Sequence, residues 1–131
     1  GTRILSSNLL NSINCQILNI HAGITPYYRG VHGAYWAYLN KQSNLAGVTL
    51  HRVDKGIDTG QILGQKIIQV QSNDNFSTYP LLQLNSGIEL LKKYLSKSGR
   101  LDLVKSNNKS HLWYHPGFFQ YIYYRCFHGV K

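Results

Sequence analysis

The sequence has no methionine, two cysteines, three prolines and five acidic residues among its 131, and its first fifty residues carry no acid at all. Each scarcity closes off a class of protein. Cys15 and Cys126 stand 111 residues apart, which is neither a disulfide framework nor a metal-binding spacing, so both are expected as reduced, buried thiols. No run of eighteen apolar residues and no charged-then-apolar leader is present. Neither a membrane span nor a secretory signal is therefore predicted, and the cytoplasm is the default compartment. No basic heptad region, aromatic-stacking strand signature or zinc-finger spacing marks a nucleic-acid module. The missing methionine, with an opening Gly1-Thr2-Arg3-Ile4-Leu5 that reads as the middle of a structured element, leads us to expect a fragment of a longer chain.

What is present suits one globular domain: 43% hydrophobic residues are enough for a core at this length. Fourteen basic residues give a net charge of +9, which favours anionic partners. Lys92, Lys93, Lys97 and Arg100, however, gather at the end of a predicted helix, where cations meet the carbonyl end of its dipole, so part of the excess is structural.

Along the chain, Ser6 or Ser7 caps a short helix through Leu9, Leu10 and Ile13, and Gln16 to His21 reads as a buried strand. Alternation puts Ile17, Asn19 and His21 on one face of that strand, so two polar groups project together at its carboxyl end. Residues 22–30, with Gly23, Pro26 and Gly30, form a shaped loop, followed by a helix over 31–40 whose Tyr35, Trp36, Tyr38 and Leu39 are packing residues. Strands are predicted at 47–53 and 61–71, joined by a seven-residue loop, Asp54-Lys55-Gly56-Ile57-Asp58-Thr59-Gly60, longer than a tight hairpin needs. A helix follows over 78–97, its Leu84, Ile88, Leu91 and Leu95 spaced four, three and four, with Pro80 tolerated in the first turn. Residues 1–100 then give way to a polar linker and an aromatic tail over 101–131. The tail holds Trp113, three phenylalanines and four tyrosines from His111 onward. Its His111-x-x-x-His115 spacing lacks a third ligand, and Pro116 cuts short any helix that would present it, so no metal site is expected.

Taken singly, a histidine at a strand end or an aspartate in a glycine loop is an ordinary structural residue. Here Asn19-x-His21, then Thr25-Pro26-Tyr27-Tyr28-Arg29-Gly30, then Asp54-x-Gly56-x-Asp58-Thr59-Gly60 occur in series, with Asp58 thirty-seven residues beyond His21. An amide, an imidazole and a carboxylate are the equipment for polarising a carbonyl, stabilising an oxyanion and moving protons. Asp54 reads instead as a turn former, its side chain bonding nearby amides.

In these motifs the sequence resembles, from Gly1 to about Leu95, the formyltransferases that use 10-formyltetrahydrofolate, a family acting on glycinamide ribonucleotide, methionyl-tRNA and sugar-nucleotide amines. The resemblance implies an α/β fold: an incomplete Rossmann-like formyltransferase domain, a mixed sheet flanked by helices, with the preceding half of the domain missing. It implies Asn19, His21 and Asp58 as the catalytic trio, and a folate pocket lined by Arg3, Ile4 and Leu5 and by Val53, Asp54, Lys55, Gly56 and Ile57. It also implies a cis peptide before Pro26. The expected reaction is formyl transfer from 10-formyltetrahydrofolate, without a metal, to a primary amine on a small-molecule or sugar-nucleotide acceptor. In it Asn19 and a protonated His21 donate to the oxyanion, and Asp58 raises the histidine's pKa. The alternatives are a 10-formyltetrahydrofolate hydrolase, or a non-catalytic truncated binding module that forms a homo-oligomer through the aromatic tail. A nucleic-acid partner resting on charge alone ranks last.

Overall fold

In the computed structural model, which describes residues 4–96, 101–104 and 109–130, a three-stranded sheet has its two faces put to different uses. β1 (Leu18–His21), β3 (Gly47–Arg52) and β4 (Ile62–Ile67) run antiparallel in the order β1-β3-β4. β2 (Arg29–Gly30) and β5 (Leu112–Trp113) make a separate parallel pair. The helices are α1 (Ser7–Ser12), α2 (Gly33–Leu39), α3 (Tyr79–Leu95) and α4 (Phe118–His128), with a short 3₁₀ turn at Ser43–Leu45. The expected mixture of strands and flanking helices is thus present. The third predicted strand ends at Ile67, short of 71, and α2 starts at Gly33, after His32 takes a left-handed φ of 56°. Of the two candidate caps, Ser6 accepts the amide of Leu9 at 3.2 Å. The peptide before Pro26 is cis.

Register decides what each face of the sheet carries. Asn19 lies opposite His51, and His21 opposite Thr49, which in turn faces Gln65; directly opposed residues in a sheet share a face. One face is therefore polar. The other presents Leu18, Ile20, Val48 and Leu50 to α3, closing a small core with Leu90. β3 is buried on both sides through His51, because the loop of residues 22–30 folds over the polar face.

That loop is fastened by satisfied polar groups. The Thr49 hydroxyl donates to the Gly23 carbonyl at 2.7 Å and accepts from the Thr25 amide at 3.1 Å and the Gln65 amide at 3.2 Å, which exhausts a hydroxyl's capacity. Gln65 also donates to the Thr25 carbonyl at 2.8 Å. Pairing of this kind rigidifies a buried polar network, although the Thr25 hydroxyl itself has no partner among the described residues.

The structure departs from the sequence pattern in α3. Its extent matches, but the residues it buries are Tyr79, Gln83, Ser86, Gly87 and Leu90, while Leu84 is 52% and Ile88 40% exposed. Small residues decide the contact face. A side chain at Gly87 would run into a methyl of Ile20 and lie 3.3 Å from Val48 Cγ2, so the helix approaches the sheet more closely than a leucine stripe would permit. Lys92 and Lys93 sit in the last turn of α3; Lys97 and Arg100 lie outside the described residues, as do residues 105–108 of the predicted linker.

A second core gathers Ile24, Tyr28, Tyr35, Trp36 and Ala37, with Trp113, Tyr121 and Tyr124 of the aromatic tail packed against it. The tail therefore shares the body's core through one side only: Phe118, Phe119, Tyr123 and Phe127 face outward. Both cysteines are free, as expected, but exposed and not buried. Cys15 sits in the uncovered link between α1 and β1, and Cys126 on α4, a helix with no buried residue. Among the described residues no helix is long and apolar enough to cross a membrane.

Candidate active site

Asn19 and His21 leave β1 on its polar face, as alternation requires. Asp58 reaches them from the loop between β3 and β4. Its backbone adopts φ +51°, a left-handed conformation that aspartate and asparagine tolerate better than most residues. Its carboxylate is held at both oxygens. Oδ2 lies 3.2 Å from His21 Nδ1 and accepts the Gly30 amide at 2.9 Å. Oδ1 lies 3.6 Å from His51 Nε2 and 3.5 Å from the Asn19 amide nitrogen, which is itself 3.1 Å from His51 Nε2. Asn19, His21 and Asp58 are thus in one cluster, with a fourth member, His51.

His51 was not among the residues singled out in the sequence. Its signal was there in part: it alternates with Thr49 along β3, and only the antiparallel register puts it opposite Asn19. Its Nδ1 donates to the Arg52 carbonyl at 2.7 Å, which turns Nε2 toward Asn19 and Asp58.

The two histidines are shifted in opposite directions. Burial pushes His21 below the ordinary 6.5, and neither Asp58 nor the Tyr28 carbonyl, which takes its Nε2 at 2.7 Å, restores it. Asp58 does raise His21, as expected, but at 5% exposure desolvation outweighs the carboxylate and the net shift is downward. For His51, burial also opposes the charge, but the bond to Asp58, the Arg52 carbonyl and the nearby Asp58 and Asp54 carboxylates together raise it above 6.5. Burial works against the Asp58 carboxylate as well; His51, His21 and the Gly30 amide still hold its pKa below the ordinary aspartate value. A second expectation changes too. Both ring nitrogens of His21 already face protein oxygens, so it has no spare N–H for an oxyanion; the Asn19 amide, which faces His51 and Asp58, donates to one only by giving up one of those contacts.

The loop around Asp58 is shaped by Asp54, which accepts from the Gly56 amide at 3.0 Å and the Thr59 hydroxyl at 2.8 Å; it forms a turn, as its position suggested. Arg29 donates to the Ile57 carbonyl at 3.2 Å. Of the residues expected around a folate, Val53, Asp54 and Lys55 line a cavity of about 470 Å³ with Leu10, Cys15, Gln16, Ile17 and Arg52. Ile4, Leu5, Gly56 and Ile57 are not on that cavity, Ile4 being 74% exposed, and Arg3 lies outside the described residues. Among the described residues no cluster of three or more histidine, cysteine, aspartate or glutamate side chains is arranged to hold a metal.

Comparison with known proteins shows the chain's relatives. Residues 2–85 match the family model described as formyl transferase. The chain is similar, at 31% identity over 107 residues, to methionyl-tRNA formyltransferase of Caldanaerobacter subterraneus subsp. tengcongensis, covering 82% of this chain and 34% of that protein. It is 34% identical over 76 residues to phosphoribosylglycinamide formyltransferase of Bacillus subtilis, covering 58% and 38%. Among solved structures it resembles an N-formyltransferase of Helicobacter canadensis, in complex with folinic acid and dTDP-3-aminofucose. That match has a TM-score of 0.57 at 29% identity, over 74% of this chain and 37% of that one. The chain spans about a third of the length of the curated relatives it matches.

Proposed function

The chain belongs to the formyl transferase family, and from that premise we propose that it serves formyl transfer from 10-formyltetrahydrofolate to a primary amine, with Asn19, His21 and Asp58 at the reacting centre. The observation that most supports this reading is Asp58 held between His21 and His51, with the Asn19 amide beside it. The relatives' acceptors include a tRNA-bound methionine, a glycinamide ribotide and an aminosugar nucleotide; the last is the acceptor class we favour.

The chemistry follows from the residues. The amine nitrogen attacks the formyl carbon, the N–C bond forms, and charge gathers on the carbonyl oxygen, where the Asn19 N–H donates. Asp58, kept ionised by its neighbours, takes the amine proton directly or through one water. His21 enters neutral, with Nδ1 at 3.2 Å from that carboxylate, and becomes the imidazolium as the proton arrives. The same proton then goes to the departing folate nitrogen as the bond from formyl carbon to that nitrogen breaks. His51 is among the groups that hold the Asp58 pKa below the ordinary aspartate value. The cavity beside Val53, Asp54 and Lys55 is of ordinary ligand-site size for a folate's bicyclic head.

The deciding experiment supplies 10-formyltetrahydrofolate with a panel of aminosugar nucleotides, aminoacyl-tRNA and small ribotides, and follows tetrahydrofolate and the formylated product by mass spectrometry. A formylated amine whose yield collapses in His21→Ala supports transfer. Free formate with no formylated acceptor points to the hydrolase, in which water takes the amine's place. No turnover, with folate affinity the same in wild type and His21→Ala, leaves the binding-module reading. Self-association through the outward aromatic face of α4 belongs to that last reading: Phe118, Phe119 and Phe127 are each more than 70% exposed. Sedimentation of Phe119→Asp/Phe127→Asp against wild type tests it, an unchanged mass removing it.

A further inference from the structure

The loop that grips the acid/base residues is itself gripped from behind. On its inner side, the Tyr28 carbonyl holds His21 Nε2 at 2.7 Å and the Gly30 amide holds Asp58 Oδ2 at 2.9 Å. On its outer side, the Arg29 amide donates to the His111 carbonyl, the Val31 amide to the Trp113 carbonyl, and the His111 amide to the Pro26 carbonyl, each at 3.1 Å. The Trp113 indole adds a bond to the Tyr27 carbonyl at 3.0 Å. Successive amides of an extended strand point to opposite sides, so pairing residues 29 and 31 with β5 turns the amide of residue 30 toward Asp58. β2 is two residues long and has β5 as its sole strand partner among the described residues.

Side chains reinforce the arrangement. Trp113 is stacked on both Tyr28, at 5.6 Å, and Trp36, at 4.8 Å. Gly30, at φ +91°, has no room for a side chain because the Trp113 carbonyl occupies that space.

We propose that residues 111–113 of the aromatic tail are a positioning element of the acid/base site, with Trp113 as its anchor. Through the loop they fix the two backbone groups that orient Asp58 and His21. The inference rests on the reading of that cluster as the reacting centre, and it gives the tail a task that its sequence, a run of aromatics after a linker, does not announce.

The test is read by NMR on the full chain and needs no turnover. In wild type, the Gly30 amide proton should lie downfield and move with the ionisation of Asp58, whose other neighbours are His21, His51 and the Asn19 amide, with Arg29 on the adjacent Ile57 carbonyl. In Trp113→Ala that response should vanish and the Asp58 pKa rise toward the ordinary carboxylate value, while amide protection of β1, β3 and β4 stays at the wild-type level. Trp113→Phe, which keeps a stacking ring but lacks the indole N–H, should shift both in the same direction by less, and it decides the matter if the alanine variant does not fold. A Gly30 amide that ignores Asp58 in wild type overturns the proposal, and so does an Asp58 titration unchanged by loss of the indole. Absence of formyl transfer would sink the functional reading and leave these titrations standing, so the two failures are distinguishable.

Discussion

Asp58 occupies a left-handed backbone position and has both carboxylate oxygens engaged, so its substitutions separate charge from shape. Asp58→Asn keeps the tolerance for φ +51° and removes the charge. We expect kcat to fall by about 10²–10⁴, the usual worth of a positioned proton acceptor, with folate affinity retained; stopped assays alongside binding titrations check it. The histidines set the pH dependence. His21, lowered by burial, favours the fold in its neutral form, so its contribution is full above 6.5 and declines as pH falls through 6.5 toward its folded pKa. His51, raised, contributes fully below 6.5 and less as pH climbs through its folded value. Asp58, lowered, contributes above the ordinary aspartate range and loses that contribution as pH falls through its folded pKa. Activity should accordingly rise from acid pH through the lowered pKa of His21, which must be neutral to take the proton. His51→Gln, which removes a group holding the Asp58 pKa down, should shift the Asp58 titration upward.

At the scale of the element, α3 separates apolar pattern from packing face. Gly87→Val places methyl groups where Ile20 stands and should cost about 1–3 kcal/mol by overpacking, read as a lower urea midpoint. Leu84→Lys and Ile88→Lys, on the apolar stripe, should each stay within about 0.5 kcal/mol of wild type, because both side chains are exposed in this structure. The reverse ranking in urea would mean that the helix packs by its leucines. In β3 the alternation was readable and the element correct, yet the polar face is buried too, covered by a loop held through Thr49 and Gln65. Periodicity reports which residues share a face and is silent on what covers it.

Over the whole molecule, the tail and the body meet at the Trp36–Trp113 stack and at the Trp36 indole bond to the Tyr114 carbonyl, 3.1 Å. Two indoles stacked at that separation should give a strong near-ultraviolet dichroic signal. If tail and body form one cooperative unit, that signal and the far-ultraviolet signal should be lost at the same denaturant midpoint; an earlier loss of the near-ultraviolet signal would show the tail detaching alone. By itself the sequence determined the types of α1, β1, α2, β3, β4 and α3, though not of β2, β5 or α4, and also the shared face of Asn19 and His21 and the turn made by Asp54, because these depend on period, backbone preference and bonds a few residues long. Its motifs also pointed to Asp58 as the third member of the cluster. Tertiary structure alone decided that His51 joins them, that burial lowers the His21 pKa against its carboxylate neighbour, that α3 packs through glycine and serine, and that a segment some eighty residues downstream backs the loop holding Asp58. Each of these depends on cross-strand register, desolvation or closeness of approach, quantities that exist only once distant parts of the chain are brought into contact.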